Sequence, residues 1–431
     1  MSLKHSRDNL TANIFQQISA LLIAIIVPLL LSVEEYAQVT VVTVLMSFLP
    51  LADFGMATVY NRNLPAIYAK NNHKVVHVWN VTLGYFRLYT SLLFGVLISV
   101  YYFQRYHQVL IAIALFSLVI LNNVTSFVTI SATVRSDFRW IKNIAIVQSM
   151  GKLATLPGVW VAGVKGWFVG QLIGIGVILV SHRARSELIP VMSDRKSMDW
   201  SLIRSNITQG VVLSVITTVW LQLLSSGRIY ASFNYPDTAI AQYGLVGAIY
   251  QIVVSMGIAS FVPQTIQIYR KIEQDQTAAV DYAFKLVVYS SPFFIMASFT
   301  LIYIAPFVMS LIFPKYNVDR ALYAPLMLSL FNLAIMVTLG SLLIGLGKTK
   351  SYLCLLIVAA MVYFGFAEVL SHDAHHLEGA EAQMLTLSAY SIALVVLVYS
   401  IYGNKITNKL MAWVACLPSL LAPMIYFYFF R

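Results

Sequence analysis

Two cysteines are all that the 431 residues contain. Cys354 and Cys416 each fall inside an apolar run, which argues against a disulfide framework or a paired thiolate metal centre and leaves both as small core residues. Charge is scarce too: Asp, Glu, Lys and Arg supply 10% of the chain, where soluble domains average about 25%. The longest polar stretch runs only from His182 to Arg204, so no soluble catalytic domain fits.

Hydrocarbon fills the chain instead. Apolar residues make up 59% and mean hydropathy is +0.78, well above the roughly 45 to 50% apolar content of a soluble domain. A bilayer takes about 20 apolar residues per spanning helix. Thirteen such runs are predicted: Asn13–Leu31, Tyr36–Val59, Val81–Phe103, Val109–Val134, Ile144–Val164, Trp167–His182, Ile207–Tyr230, Ile240–Ile268, Leu286–Phe313, Leu322–Ile344, Tyr352–Ser371, Gln383–Tyr402 and Leu410–Phe430. The first follows Lys4 and Arg7 as in a signal peptide, yet no small-residue cleavage site precedes Glu34 and Glu35, so it is expected to stay attached.

A net charge of +11 raises nucleic acid as a partner, but its distribution argues against that. Most basic residues, among them Arg62, Lys70, Lys74, Arg135, Arg139, Arg183, Arg185, Arg195, Lys196, Arg270, Lys271, Lys348 and Lys405, fall in loops after even-numbered runs. The opposite loops hold Arg105, Lys165, Arg228, Lys315 and Arg320. By the positive-inside rule this places the N-terminus in the cytoplasm. The expected organisation is an N-terminal six-helix lobe over 1–182, a cytoplasmic linker over 183–206, a C-terminal six-helix lobe over 207–402 and an additional span over 403–431.

Ionised residues inside the runs stand out, because each costs roughly 2.5 to 3.5 kcal/mol at the bilayer centre and such groups face a bundle interior or a wet cavity. Asp53 and Arg87 sit equally far from the middle of the hairpin that joins their runs, so they are expected at one depth. They read either as a structural ion pair or as a site in which Arg87 serves a cavity. Lys152 lies midway along its run with no acid at its depth, Arg228 near the outer end of another, and Arg62 where the second run meets the cytoplasm. Gln16, Gln17, Asn122, Asn123, Gln148 and Gln222 offer hydrogen bonds within a cavity or to neighbouring helices.

Several stretches resemble the polysaccharide-transporter branch, the O-antigen flippase type, of the multidrug/oligosaccharidyl-lipid/polysaccharide flippase superfamily. They are Ser32-Val33-Glu34-Glu35-Tyr36-Ala37, Leu51-Ala52-Asp53-Phe54-Gly55-Met56 with Asn61-Arg62, Ser226-Gly227-Arg228-Ile229, and Ala241-Gln242-Tyr243-Gly244-Leu245. Phe313-Pro314-Lys315-Tyr316, Gly345-Leu346-Gly347-Lys348-Thr349-Lys350 and Leu377-Glu378-Gly379-Ala380 extend the pattern. The family often has Asp where this chain has Gly227. The resemblance implies an all-α integral membrane protein with two six-helix lobes around a central cavity open alternately to each side, here with an extra C-terminal span. It implies a bacterial inner-membrane flippase for polyprenyl-pyrophosphate-linked oligosaccharide, with membrane lipids, a coupling ion (H+ or Na+), and a polysaccharide polymerase and chain-length proteins as partners. Arg87, Lys152, Arg228 and Arg62 are then the cationic candidates for the pyrophosphate, through the guanidinium fork or the compact ammonium. Asp53 is the coupling or salt-bridge residue.

Two motifs suggest other chemistry. His372, Asp373, His375 and His376 form a single histidine cluster, where di-iron membrane enzymes need several, so a polar loop and no metal is expected. Gly347-Lys348-Thr349 lacks the leading glycine of a phosphate loop, Leu342 standing there, so neither ATP use nor any cofactor is expected. The rival functions are a multidrug or cation exporter, which would want acidic cavity residues, and a membrane polysaccharide polymerase, which would want a larger outward loop than Phe233–Ala239, Pro314–Arg320 or His372–Ala382.

Overall fold

The computed structural model describes residues 3–69, 72–135, 137–371, 376–403 and 409–430, and these form helices and turns with no strand. The helices are α1 Leu3–Leu30, α2 Val33–Met46, α3 Met56–Ala69, α4 His73–Tyr106, α5 Val109–Val134, α6 Phe138–Leu153, α7 Thr155–Val180, α8 His182–Ser193 and α9 Trp200–Leu223. They continue as α10 Ser226–Asn234, α11 Asp237–Gln274, α12 Gln276–Ile312, α13 Tyr323–Leu328, α14 Leu333–Gly345, α15 Thr349–Leu370, α16 Glu378–Tyr402, α17 Lys409–Val414 and α18 Leu417–Phe429. Ten helical segments among the described residues are long and apolar enough to cross a bilayer, and α2 with α3, bent by 49°, make an eleventh if taken as one span. Large side chains such as Leu110, Trp160, Leu311 and Tyr428 are more than 70% exposed, a surface that suits hydrocarbon and not water. The chain is an all-α, multi-pass membrane protein.

Five predicted runs are not single unbroken α-helices: Leu322–Ile344 passes through a 3-10 stretch at Ser329–Asn332 between α13 and α14, and proline accounts for three of the other four breaks. A proline has no N–H for the carbonyl four residues earlier. Pro50, Pro157 and Pro418 stand four residues after Met46, Leu153 and Val414, and these are where α2, α6 and α17 end. The break between α9 and α10 has no proline. A glutamine from α16 spans it instead: the Gly227 N–H donates to Gln383 Oε1 at 2.9 Å, and Gln383 Nε2 donates to the Leu224 carbonyl at 3.2 Å.

The chain divides into two compact units, Met1–Thr218 and Val219–Arg431. In the first, α1 packs along α6 and α7, and α4 pairs with α5. The predicted turn between the fifth and sixth runs falls inside α7, where Ala162 and Gly163 leave helical geometry and Gly163 takes φ +57. On either side of that turn the backbones touch. A Cβ on Gly151 would lie 2.3 Å from Gly174 Cα, and one on Gly158 would lie 2.6 Å from the Gly166 carbonyl oxygen, so the hairpin closes through small residues. Ser32 and Glu35 form a capping box at the start of α2, and the second Glu35 oxygen accepts the Val164 N–H at 3.3 Å. The Ser32 to Ala37 stretch is thereby tied to the α7 turn.

In the second unit the span Arg320–Gly345 is the most enclosed, with Leu326, Leu330, Leu333, Leu339 and Leu343 at 0 to 2% exposure. It packs against α11, α12 and α16, and α18 lies against α16 and α13.

Candidate functional site

The gap between α2 and α3 holds the site. After Met46 the chain makes a short 3-10 turn at Leu49–Leu51, and then Phe54 and Gly55 take φ +49 and +72 before α3 begins. Gly55 is required twice over: its φ lies in the left-handed region, and a Cβ there would be 1.9 Å from the Gly210 carbonyl oxygen of α9. Asp53 stands in this gap. Its Oδ1 accepts the Gly55 N–H at 2.9 Å, a carboxylate meeting the free amides that open α3, where a helix N-terminus favours negative charge.

Arg87 approaches from α4. Its Nη1 lies 3.7 Å from Asp53 Oδ2, and the two side chains are 8% and 9% exposed. On the other side the Arg87 Nε–H donates to Asn123 Oδ1 of α5 at 2.6 Å. Asn123 Nδ2 in turn donates to Ser91 Oγ and, at 3.4 Å, to the Arg87 carbonyl. Two unit charges about 4 Å apart attract by roughly 4 kcal/mol at an effective dielectric near 20, while desolvation costs several kcal/mol per ion. The pair is therefore near energetic balance, and stability alone does not account for it.

A cavity of about 470 Å³ opens beside this pair. Besides Asp53, Arg87 and Asn123, its polar wall is made by Thr58 of α3, Asn122 and Ser126 of α5, and Ser214, Thr217 and Thr218 of α9. Asp53 and Arg87 are the charged members of that wall. The arrangement offers neutral hydroxyl and amide groups around one guanidinium and one carboxylate. Such groups hydrogen-bond sugar hydroxyls and phosphate oxygens.

The other predicted residues lie elsewhere. Lys152 is exposed in the last turn of α6 and is not part of this wall, and Arg62 is exposed on α3. Arg228 is half-buried on α10, with its Cδ 3.3 Å from where a Cβ on Gly247 would stand. Gly227, where the resembling family often has Asp, faces Gly379 of α16, and a Cβ there would be 2.9 Å from the Gly379 carbonyl oxygen. Helix contact leaves no room for a carboxylate.

Sequence reasoning missed a second polar group, in the Val219–Arg431 unit. Glu378 and Glu381, both in the first turn of α16, are 7% and 5% exposed. The Tyr235 hydroxyl donates to Glu378 Oε2, and Tyr426 Oη donates to Glu381 Oε1 at 2.5 Å. Tyr243 Oη donates to the His376 carbonyl at 2.9 Å and accepts the Ala380 N–H at 3.2 Å. The signal in the sequence was a pair of acids three apart at the mouth of an apolar run, but their tyrosine partners come from remote segments.

His372, Asp373 and His375 lie outside the described residues. The Gly347-Lys348 stretch is a helix C-cap: Gly347 at φ +72 donates to the Ile344 carbonyl and Lys348 N–H to that of Leu343, the paired bonds of a Schellman ending. Its amides are used up in closing α14 and hold no phosphate cradle.

No protein-family model matches this chain, and no curated protein matches it in sequence. Two solved structures match it along nearly the whole length. One is a point mutant of the Vibrio cholerae MATE transporter VcmN, with 14% identity, 98% of this chain and 97% of that chain covered, and a TM-score of 0.55. The other is the lipid II flippase MurJ in an inward closed conformation, with 13% identity, coverage of 99% and 98%, and a TM-score of 0.53. At these identities the likeness is one of fold: this chain has the all-helical fold that a MATE transporter and a lipid II flippase share.

Proposed function

We propose that the protein is a membrane transporter of the flippase kind, carrying polyprenyl-pyrophosphate-linked oligosaccharide repeat units across the bacterial cytoplasmic membrane by alternating access. One observation carries the reading: a polar cavity of about 470 Å³ walled by hydroxyls and amides around a single buried arginine. Sugar hydroxyls match the Ser, Thr and Asn wall, and phosphate oxygens match the guanidinium fork. The broken α2–α3 span supports it, since transporter sites are built at discontinuous helices whose half-helix ends face the ligand. Fold likeness to a lipid II flippase and a MATE transporter supports a transporter over an enzyme.

The charge pattern supports an N-terminus in the cytoplasm. A polymerase and chain-length proteins acting on the delivered repeat units are the partners such cargo calls for. Lys152, Arg228 and Arg62 remain candidate cargo contacts at other stages of the cycle, and the 183–206 segment a cytoplasmic linker. Asp53, a buried carboxylate in the same cavity, favours a second reading, export of organic cations.

Deletion of the gene decides between them. The flippase reading expects undecorated lipid-linked repeat units to accumulate on the cytoplasmic side, with surface polymer restored by the wild-type chain but not by Arg87→Ala at equal membrane levels. Normal polymer together with increased sensitivity to cationic dyes would replace it with the exporter.

A further inference from the structure

We propose that the outward end of the Met1–Thr218 unit holds a phospholipid whose head carries both a phosphate and a primary ammonium. The phosphate sits on the N-terminus of α5, the ammonium on Glu35, and one acyl chain lies in the groove between α4 and α5.

Three junctions meet there: Ser32 before α2, Gln108 before α5, and the Ala162–Gly163 turn inside α7. The charge pattern puts all three on the side away from the cytoplasm. Between them is a cavity of about 520 Å³ that shares no lining residue with the one beside Arg87. Gln108 and the first three residues of α5, Val109, Leu110 and Ile111, form one wall. Gln108 is an N-cap whose side chain makes no capping bond, and its carbonyl takes the Ala112 N–H. The amides ahead of Ala112 are the free donors of a helix start, and the helix dipole favours an anion beside them.

A buried side chain points to the same kind of ligand. Gln38 of α2 is 8% exposed and lines the cavity. Its Oε1 accepts the Tyr102 hydroxyl at 2.9 Å, which leaves Nε2 as a donor without a protein partner among the described residues. Lys165 adds a compact positive charge to the wall. Glu35 is the negative member. Its Oε1 accepts the Val164 N–H at 3.3 Å and its Oε2 the Ser32 N–H at 3.2 Å, so each oxygen keeps room for another donor. Glu35 and Lys165 do not pair with each other: the ion pairs among the described residues are His77–Asp194 and Asp53–Arg87. A lone anion would meet Glu35 unscreened, and a lone cation would meet Lys165 and the α5 dipole. A ligand with both charges satisfies the whole wall.

The adjoining surface makes that ligand a lipid. An apolar groove of about 350 Å³ begins at Val109, which lines both spaces, and runs between Val96, Val100 and Phe103 of α4 and Ile113 and Phe116 of α5. Seven residues of helix give it a length of about 10 Å, the outer third of a hydrocarbon core about 30 Å thick. A polar head at the helix end with a chain running inward from it is how a phospholipid lies in a leaflet.

Native mass spectrometry of the full chain in a non-ionic detergent tests this, with phosphatidylethanolamine, phosphatidylcholine and phosphatidylglycerol of identical acyl chains. The ethanolamine lipid is expected to bind about tenfold more tightly than either rival, since choline offers Glu35 no N–H and glycerol offers it no cation. Lys165→Glu, at an exposed position, is expected to remove that preference, and Glu35→Gln to raise phosphatidylglycerol to the level of phosphatidylethanolamine. Glycerophosphoethanolamine, the same head without chains, is expected not to displace the bound lipid even in large excess. Displacement would make this a site for a soluble zwitterion and overturn the lipid. Equal binding of the three lipids, or a preference that survives Lys165→Glu, would overturn the site and leave only a lipid coat. The comparison of heads on the wild type decides the matter even if a variant fails to fold.

Discussion

Asn123 on α5 accepts the Arg87 Nε–H at 2.6 Å, while Nη1 of the same guanidinium lies 3.7 Å from Asp53 Oδ2. One arginine of α4 thus ties the α2–α3 gap to α5.

Removal of either charge alone is expected to destabilise the detergent-solubilised protein by about 3 to 5 kcal/mol, because the survivor is left buried without its partner. Asp53→Ala combined with Arg87→Ala should cost clearly less than the sum of the two. Thermal melts of the four proteins measure that coupling. If the double variant folds but transports nothing, the pair serves the cargo as well as the fold.

Gly55→Ala is expected to cost at least about 1 to 3 kcal/mol through its left-handed backbone and the overlap with Gly210. Its signature is a lower melting temperature together with lost transport, since Asp53 is aimed by the same turn. Unchanged melting would show that the α2–α3 gap is not held by the α9 backbone.

Gln383→Ala leaves the Gly227 amide and the Leu224 carbonyl without their bridge. The expected loss is about 1 to 3 kcal/mol for each buried group left unsatisfied. Gly227→Asp, which writes in the residue the resembling family often carries, should be worse, through its clash with Gly379. Chemical denaturation of both variants in one detergent ranks them.

The segment after α8 is tied down at Asp194. Its carboxylate accepts from Ser197 Oγ at 2.5 Å and pairs with His77 Nε2 of α4 at 2.9 Å. The Ser197 bond, then the His77 contact, hold the Asp194 carboxyl below the usual carboxylate range. A lowered folded-state value means the contribution is present above the unfolded value and is lost as pH falls through the folded one. Protection of the amides over residues 194–199, referred at each pH to the exchange rate of the unfolded chain, should therefore hold at neutral pH and fall only in acid. Asp194→Asn should show the reduced protection already at neutral pH.

Much of this architecture was legible because bilayer spans announce themselves by length and apolarity. The juxtaposition of Asp53 and Arg87 followed from counting outward from a hairpin. The break after Met46 was legible only as a proline among several, since Pro28, Pro263, Pro292, Pro306 and Pro423 sit inside continuous helices. A proline frees the carbonyl four residues earlier in both groups, and a sequence does not tell which of them will end a helix. Asn123 was visible as a polar group, but its role in holding Arg87 depends on the mutual rotation of α4 and α5. The Glu378 and Glu381 group was invisible for a related reason: acids at the mouth of a span look like interface residues until the tyrosines that cover them are placed.

The glycine contacts of the α6–α7 hairpin set a limit on how this protein can change over generations. Its outward faces, carrying Trp160, Val161, Ile173 and Val177, are free to drift among any greasy residues. At 151, 158, 166 and 174 even a single added methyl group would prise two backbones apart. A saturation library selected for surface expression would therefore show four nearly silent columns in a hairpin that otherwise accepts substitution broadly, and those columns would mark this fold in relatives whose remaining sequence has diverged beyond alignment.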